Sequence, residues 1–258
     1  MKKIITLAII QSHLHWEDAA ANLMFFEDEI MGIRQTPDLV VLPETFTTGF
    51  TMNVEEHADR EGKTREWMHR IAQEKEITLT GSCIVYEAGH YYNRLFWVEP
   101  SGNTRYYDKR HLFRMGREQL HFSPGEQRVV VQLGGFRILL QICYDLRFPV
   151  FARNRGDYDA MLYVANWPSA RQHVWEALLT ARAIENQSFV IAANRSGVDG
   201  EGMENCGLSR VIDPKGNIKA RLYEQPGLLI TSLDLEELQS FRNNFPVQED
   251  ADDFNLLI

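Results

Sequence analysis

The chain has 258 residues, of which 44% are hydrophobic and 24% charged, and its formal net charge at pH 7 is −9. A chain of this composition folds into one large domain or two small ones and buries a sizeable core without disulfides or structural metals. The acidic balance disfavours a nucleic-acid partner, because proteins that bind nucleic acids usually carry a basic surface. No segment approaches the ~20 apolar residues of a membrane-spanning helix, so we expect a soluble protein without a membrane partner.

The chain begins with two lysines and an apolar run, a pattern that superficially suggests a secretion signal. The run has only about 7–8 residues, the short limit for such a signal, and no small-residue cleavage site follows it. A buried first strand over 3–11 explains the pattern better. We therefore expect a cytoplasmic protein.

Helices and strands alternate along the rest of the chain. Helices are predicted over 16–33, 64–76 and 173–187, because apolar residues recur near one face of each. In the first two helices these residues are Leu23, Phe26, Ile30, Ile33, Trp67, Met68, Ile71 and Ala72. Short apolar runs predict strands over 38–44, 77–87, 91–99, 104–109, 128–133, 136–143, 159–166, 188–194 and 208–213.

Turn signals join several of these strands. Gly134 and Gly135 predict a hairpin between two apolar runs, and the segments 98–109 and 212–223 share the form strand, x-Pro-x-Gly-Asn, strand. We expect two similar hairpins rather than a true repeat. No linker or low-complexity stretch interrupts the chain, so residues 1–258 are interpreted as a single domain. The alternation predicts an α/β protein with helices covering largely buried sheets.

Three reactive side chains stand where predicted strands end: Glu44, Lys109 and Cys143. In α/β folds, ligands bind beyond the carboxyl ends of strands, where loops place side chains around a common crevice. If these strands are parallel neighbours, all three groups converge.

The chemistry of the three groups is complementary. A free thiol, with a pKa of about 8.5, is mostly protonated at neutral pH, and a neighbouring carboxylate can take its proton as general base. A lysine and the backbone N–H of Tyr144, just after the candidate nucleophile Cys143, can stabilise an oxyanion. Attack on an amide then gives a thioester and releases ammonia, and water resolves the thioester.

Each group also has a purely structural interpretation. A cysteine at a strand end is more often a small buried hydrophobe, Glu44 can cap a helix, and Lys109 can be a solvated strand end. Cys83 and Cys206 are interpreted as structural, although Cys206 lies in a loop that can line a cleft. The odd number of cysteines without CxxC spacing disfavours disulfides and a zinc site.

Other catalytic and binding motifs are missing from the sequence. Neither GxSxG nor HExxH occurs, and His13 and His15 are expected to flank a strand rather than bind a metal. The segment GVDGEG lacks the strand–helix context of a dinucleotide site.

Three longer segments resemble the nitrilase superfamily of carbon–nitrogen hydrolases. That family's catalytic Glu, Lys and Cys segments are matched, in the same order, by LVVLPETFTTGF, YYDKRHLF and LLQICYDLRFP. The resemblance covers nearly the whole chain and implies that Glu44, Lys109 and Cys143 are catalytic. It also implies that Glu118, in MGREQLHFSPG, is a supporting carboxylate that orients Glu44 or the incoming amide.

The resemblance carries further expectations about structure and partners. It implies a four-layer α-β-β-α sandwich, a homodimer or larger homo-oligomer, and neither metal nor organic cofactor. The C-terminal segment, about 239–258, has little visible place in such a sandwich. Its apolar residues pack on a partner subunit or fold back on the same domain; they are Phe241, Phe245, Phe254 and Leu256.

Within the family, the strings KRHLFRMGRE, CYDLRFP and VANWPSAR are most similar to the ω-amidases, which hydrolyse the terminal amide of 2-oxo acid amides such as 2-oxoglutaramate and 2-oxosuccinamate. A carbamoyl-amine hydrolase, a nitrilase and an aliphatic amidase remain alternatives. A non-catalytic binding module on the same fold is a further alternative, disfavoured because a pure binder has no need for all three reactive groups.

A substrate with a remote carboxylate needs a cationic or amide-rich pocket. Candidate arginines, chosen by their proximity to the motifs, are Arg114, Arg117, Arg147 and Arg171, although an arginine in such a place is more often a surface or structural residue than a ligand. Phe113 and Asn166 are further candidates for substrate binding. Trp167 is expected either to wall the pocket or to pack in the core.

Overall fold

Two six-stranded mixed sheets form the centre of the computed structural model, which describes residues 2–256. The first sheet contains, in spatial order, β14 (Gly227–Asp234), β1 (Ile4–Gln11), β2 (Leu39–Val41), β3 (Thr78–Glu87), β4 (His90–Val98) and β5 (Thr104–Asp108). The second contains β13 (Ile218–Arg221), β12 (Arg210–Ile212), β9 (Phe189–Asn194), β8 (Ala160–Ala165), β7 (Phe136–Ile142) and β6 (Val130–Leu133). A separate hairpin consists of β10 (Ser196–Val198) and β11 (Glu204–Cys206).

Six α-helices accompany the strands in the described part of the chain. They are α1 (Ala19–Gly32), α2 (Val54–His57), α3 (Lys63–Lys75), α4 (Pro149–Ala152), α5 (Gln172–Asn186) and α6 (Leu235–Asn244). The first begins later than predicted because the Asp18 side chain accepts a hydrogen bond from the N–H of Ala21 and caps the helix. Within residues 2–256, none of the helices is long and apolar enough to cross a membrane.

Successive strand residues point to opposite faces of each sheet, so the core has three layers. Leu7 and Leu140 point between the two sheets, whereas Ala8 packs with Phe26 of α1 on the outer face of the first sheet. Trp175 of α5 packs in the corresponding layer outside the second sheet. The predicted four-layer α-β-β-α sandwich is therefore confirmed.

The strands that precede the three reactive residues do not lie as expected. From the sequence, we expected these three strands to be parallel neighbours. Instead, Cys143 follows β7 in the second sheet, whereas Glu44 and Lys109 follow β2 and β5 of the first. The strand β5 is separated from the parallel pair β2–β3 by the antiparallel β4, and so runs in the same direction as that pair. The groups converge because stacking of the sheets brings the carboxyl ends of these strands together.

The predicted hairpins are confirmed. The Gly134–Gly135 turn joins antiparallel β6 and β7, and the two x-Pro-x-Gly-Asn segments join β4 to β5 and β12 to β13. Both of the latter turns close with the same backbone bonds, for example Glu99 N–H to Asn103 O at 2.9 Å and Asp213 N–H to Asn217 O at 2.8 Å.

The C-terminal region contains two elements that the sequence interpretation missed. The strand β14 pairs antiparallel with β1 along its whole length, and Leu235 and Leu238 of α6 pack in the core between the sheets. The segment after 239 contacts its own domain: Arg242 donates to Oδ1 of Asp159 at 2.9 Å, and Leu256 packs against the core. Whether this segment also contacts a partner subunit stays a prediction, and residues 257–258 lie outside the described part.

Candidate active site

Glu44 lies just beyond β2 and is completely buried. Its Oε1 accepts hydrogen bonds from the Nδ2 of Asn93 at 2.8 Å and from the Nζ of Lys109 at 2.9 Å. Its Oε2 accepts from the backbone N–H of Asn166 at 2.7 Å. Since both oxygens are held by donors from three different segments, the carboxylate has one fixed orientation.

Lys109 follows β5 and is also buried. Its ammonium donates to Oε1 of Glu44 and to Oε1 of Glu118, both at 2.9 Å, and lies 5.0 Å from the ring centroid of Phe50. The other oxygen of Glu118 accepts from the backbone N–H of Phe113 at 2.6 Å. Two of the three ammonium N–H groups are thus directed at carboxylates, and the third is left to meet a substrate oxygen.

Burial and neighbouring charges together determine the pKa shifts of Lys109 and Glu118. Burial alone disfavours the ammonium form, but the two carboxylates outweigh it and hold the pKa of Lys109 above its ordinary value. For Glu118, burial raises the pKa, while the charge of Lys109 opposes the shift. Glu118 therefore compensates the lysine charge but is less readily ionised than an exposed glutamate.

Cys143 stands at the bend between β7 and a 3-10 turn over Cys143–Arg147. Its φ of 44° lies in the left-handed region, which is uncommon for a residue with a side chain and recurs at functional sites. The bend leaves the side chain partly exposed, with Sγ 4.0 Å from the carbonyl oxygen of Asn166. Asn166 thus contacts both reactive residues, because its backbone N–H donates to Glu44 and its carbonyl oxygen lies near the thiol.

The environment of Cys143 disfavours the thiolate form. Desolvation raises its pKa well above the ordinary value, the negative charge of Glu44 raises it further, and Lys109 partly opposes the shift. A thiol in this state is a weak nucleophile and needs a base in contact to take its proton.

A cavity with a volume of about 170 Å³ opens onto these residues. Glu44, Lys109 and Cys143 line it, and Tyr144 lies beside the thiol. It is also lined by five of the residues that the sequence proposed for substrate binding, namely Phe113, Arg147, Asn166, Trp167 and Arg171.

Two arginines, Arg147 and Arg171, also line the cavity. The guanidinium of Arg147 lies 5.5 Å from the ring of Trp167, and that of Arg171 lies 5.3 Å from the ring of Phe113. Among residues 2–256, neither guanidinium takes part in an ion pair. Both are therefore available to a ligand carboxylate.

Comparison with known proteins agrees with this geometry. The family model described as carbon–nitrogen hydrolase matches residues 6–243. The chain belongs to the carbon–nitrogen hydrolase family. It is 44% identical to Omega-amidase YafV of Escherichia coli (strain K12), with 98% of each chain covered. It is 33% identical to 2-oxoglutaramate amidase of Bacillus subtilis (strain 168), covering 95% of this chain and 96% of that one.

A solved structure gives the same family. The crystal structure of XC1258 from Xanthomonas campestris, a CN-hydrolase superfamily protein with an arsenic adduct in its active site, superposes with a TM-score of 0.96. The two chains are 41% identical, with 99% and 100% of their lengths covered. As the sequence predicted, this carbon–nitrogen hydrolase is an amide-hydrolysing enzyme.

Some residues of this carbon–nitrogen hydrolase lie elsewhere than the sequence suggested. Arg114 and Arg117 are exposed on the loop after Phe113 and do not line the cavity. Glu118 is bonded to Lys109 and to a backbone N–H, so its contact with Glu44 runs through the lysine, and its orienting of the incoming amide stays a prediction. Cys206, in contrast, agrees with its structural interpretation: it is buried against the carbonyl of Trp167 and does not line the cavity.

The sequence interpretation also missed part of the site of this hydrolase. Asn93 of β4 holds Glu44, although nothing in its local sequence distinguishes it. The connection between β10 and β11 contributes Asp199, Glu201 and Met203 to the cavity wall, and β11 itself contributes Asn205. Phe50 could have been predicted from the sequence, because it ends the segment LVVLPETFTTGF that carries the family resemblance.

Proposed function

We propose that this carbon–nitrogen hydrolase is an ω-amidase that hydrolyses the terminal amide of a small 2-oxo acid amide through a thioester on Cys143. One observation carries the proposal: a single cavity contains the thiol, the Glu44–Lys109 pair and two guanidinium groups without a carboxylate partner. The names of the relatives from Escherichia coli and Bacillus subtilis support the same substrate class.

The first half-reaction forms the thioester. Glu44 takes the thiol proton as Sγ of Cys143 attacks the amide carbon, and the carbonyl oxygen becomes an oxyanion. The third N–H of Lys109 and the backbone N–H of Tyr144 stabilise that oxygen. Glu44 then returns the proton to the amide nitrogen, the carbon–nitrogen bond breaks, and ammonia leaves.

The second half-reaction restores the enzyme. Water enters where ammonia was, and Glu44 takes one of its protons as the water oxygen attacks the thioester carbon. The carbon–sulfur bond breaks, the proton returns to Sγ of Cys143, and the carboxylate product is released. Lys109 stays protonated throughout, because its two carboxylate partners stabilise the ammonium.

We assign substrate selection to the part of the cavity wall that contains Arg147 and Arg171. The carboxylate of the 2-oxo acid binds the guanidinium groups of Arg147 and Arg171, since a planar guanidinium matches a carboxylate in charge and geometry. The rings of Phe113 and Trp167 hold these arginines in place, and the carbon chain lies between them. The backbone of Asn166, already bonded to Glu44, limits how the amide end enters.

A steady-state screen of ammonia release tests the proposal. Its arms are 2-oxo acid amides, neutral aliphatic amides, nitriles and carbamoyl amines. We expect the highest kcat/KM for 2-oxo acid amides. A higher kcat/KM for any other arm would reject the ω-amidase assignment and leave another carbon–nitrogen hydrolase activity. No release in any arm would favour a non-catalytic binding module.

The remaining proposals concern assembly, location and cofactors. We propose a homodimer or larger homo-oligomer, on the basis of the family resemblance, and light scattering showing a monomer at micromolar concentration would reject it. A cytoplasmic location is supported by three free cysteines, Cys83, Cys143 and Cys206, which suit a reducing compartment. Independence from metals stays a prediction, and activity that is lost on chelation and restored by zinc would overturn it.

A further inference from the structure

A second buried carboxylate, Asp145, lies next to the reactive groups without lining the cavity. Its Oδ1 accepts from the backbone N–H of His111 at 3.0 Å and from the His111 ring Nδ1 at 2.7 Å. Its Oδ2 accepts from the hydroxyl of Tyr107 at 2.8 Å and from the backbone N–H of Ile142 at 2.9 Å. Each oxygen is thus held by two donors.

These donors come from the two segments that carry the reactive groups. Tyr107 and His111 stand two residues before and two residues after Lys109, on the first sheet's side of the molecule. Ile142 immediately precedes Cys143 on the second sheet. A single side chain therefore joins the lysine segment to the bend that carries the thiol.

We propose that Asp145 is a positioning residue that sets the separation of Cys143 Sγ and Lys109 Nζ, and so the geometry of thioester formation. The bend needs such support because Cys143 has a φ of 44°, which the chain holds only when its surroundings fix it. The inference rests on the proposed role of Cys143 as nucleophile. It goes beyond that role because Asp145 does not line the cavity that contains the thiol.

The substitution Asp145→Asn tests the proposal sharply. Asn keeps the shape of the side chain but exchanges one acceptor oxygen for an NH₂ donor. Whichever way the amide is turned, its NH₂ faces a backbone N–H, that of His111 or that of Ile142, so one of the two segments must move. Misplacement of reacting groups by about 1 Å can cost ~10²-fold in rate.

The chain offers a matched control in Asp159, a buried aspartate remote from the cavity. Its Oδ1 accepts from guanidinium groups of Arg137 and Arg242, each at 2.9 Å, and its Oδ2 accepts from the backbone and the Nε of Arg137, each at 3.0 Å. Asp159→Asn therefore makes the same chemical change in a buried carboxylate whose two oxygens are each also held by two donors, away from the reactive groups. Tyr107→Phe is a milder variant that removes one donor from Asp145.

The experiment measures kcat, KM, Tm and the pH dependence of Cys143 alkylation by iodoacetamide, with the modified residue located by mass spectrometry. For Asp145→Asn we expect kcat to fall by ~10²-fold with KM little changed. We also expect the alkylation profile to move to higher pH, because Lys109 no longer lies close enough to favour the thiolate. Asp159→Asn should lower Tm but leave kcat and the alkylation profile unchanged.

Two results would overturn the proposal. The first is an Asp145→Asn variant with a lower Tm but with the wild-type kcat and alkylation profile. The second is an equal loss of kcat in Asp145→Asn and Asp159→Asn. If Asp145→Asn does not fold, Tyr107→Phe decides, with a smaller shift in the same direction expected and no shift contradicting the proposal. Alkylation requires no amide substrate. A profile that shifts in Asp145→Asn while wild-type enzyme hydrolyses no 2-oxo acid amide would reject the ω-amidase activity and uphold the positioning role.

Discussion

Lys109 Nζ lies 2.9 Å from Oε1 of Glu44, and both side chains are completely buried. A buried ion pair contributes little net stability, because desolvation offsets much of the attraction between the charges. Glu118 makes a second contact with the same ammonium. Two carboxylates around one buried lysine are better explained by the proposed mechanism, in which the arrangement places a base near the thiol and an ammonium near the substrate carbonyl oxygen.

The base assignment predicts the effect of Glu44→Gln. The amide keeps the shape of the side chain but cannot accept the thiol proton, so acylation of Cys143 should slow by ~10²–10⁴-fold, the usual worth of general-base help. Single-turnover kinetics on an activated ester measure this step. Glu27→Gln, which breaks a surface pair with Arg70, is the control and should acylate normally. Acylation of Glu44→Gln at the wild-type rate would make Glu118 the leading candidate for the base.

Lys109 allows charge and shape to be tested separately. Lys109→Met leaves two buried carboxylates without their shared cation and should destabilise the fold by ~3–5 kcal/mol. Lys109→Arg keeps the charge and should retain more stability, but its planar fork has a different reach, so turnover should remain severely impaired. Denaturant unfolding and kcat are measured for both. Near-wild-type turnover by Lys109→Arg would contradict the assignment of this residue to the oxyanion.

The nucleophile assignment predicts that Cys143→Ala abolishes both turnover and the thioester, which intact-protein mass spectrometry of a quenched reaction detects. The side chain is at the edge of the cavity, so the fold should be kept. Cys206→Ser is the control: its sulfur lies 3.3 Å from the carbonyl of Trp167, away from the cleft. A thioester that forms in Cys143→Ala, or turnover lost in a folded Cys206→Ser variant, would move the assignment to another cysteine.

The arginine assignment predicts a loss of affinity that depends on substrate charge. Arg171→Met and Arg147→Met should each raise KM for a 2-oxo acid amide while changing KM for a neutral amide much less, because only the former presents a carboxylate. A hydrogen bond to a charged group is worth ~1.5–3 kcal/mol, which corresponds to roughly ten- to a hundredfold in KM. Arg114→Met, on the exposed loop outside the cavity, should change neither value. Equal effects on both substrates would reject carboxylate recognition by these residues.

The arginines also illustrate what the sequence could and could not predict. Arg114 and Arg171 were equally good candidates in the sequence, because proximity to a motif does not determine which way a loop turns. By contrast, Glu44 and Cys143 each follow a short apolar strand, and such a local pattern predicts a strand end directly. Asn93 escaped notice because its contact with Glu44 joins residues 49 positions apart, a separation that no local pattern encodes.

Pairing between residues far apart in the sequence also explains why the strand β14 was not predicted. The strand β14 pairs with β1 across nearly the whole chain, Ile4 opposite Asp234, so its place in the first sheet could not be derived from neighbouring residues. The two x-Pro-x-Gly-Asn hairpins were predictable because all their bonds lie within one short segment. The order of strands in the two sheets brings Lys109 close to Glu44. Like the pairing of β14 with β1, this order depends on contacts between residues far apart in the sequence.

The final prediction concerns Asp159, which connects α6 to the second sheet through Arg242 and Arg137. Burial alone would raise its pKa, but the arginines outweigh this effect and hold the pKa of Asp159 below its ordinary value of 3.8. A carboxyl group with a lowered pKa in the folded state contributes stability that is fully present above the unfolded value and is lost as pH falls through the folded one. Asp159→Asn resembles the protonated group at every pH.

The difference in Tm between wild type and Asp159→Asn should therefore be largest near neutral pH and shrink as the pH drops below about 4. Thermal unfolding followed by circular dichroism at a series of pH values down to about 3 measures it. Asp28→Asn, an exposed change on α1, is the control and should give a curve close to that of wild type throughout. A Tm difference for Asp159→Asn that stays constant across this range would mean that the ion pairs with Arg137 and Arg242 do not stabilise the fold. The C-terminal helix would then be held mainly by Leu235 and Leu238 in the core between the sheets.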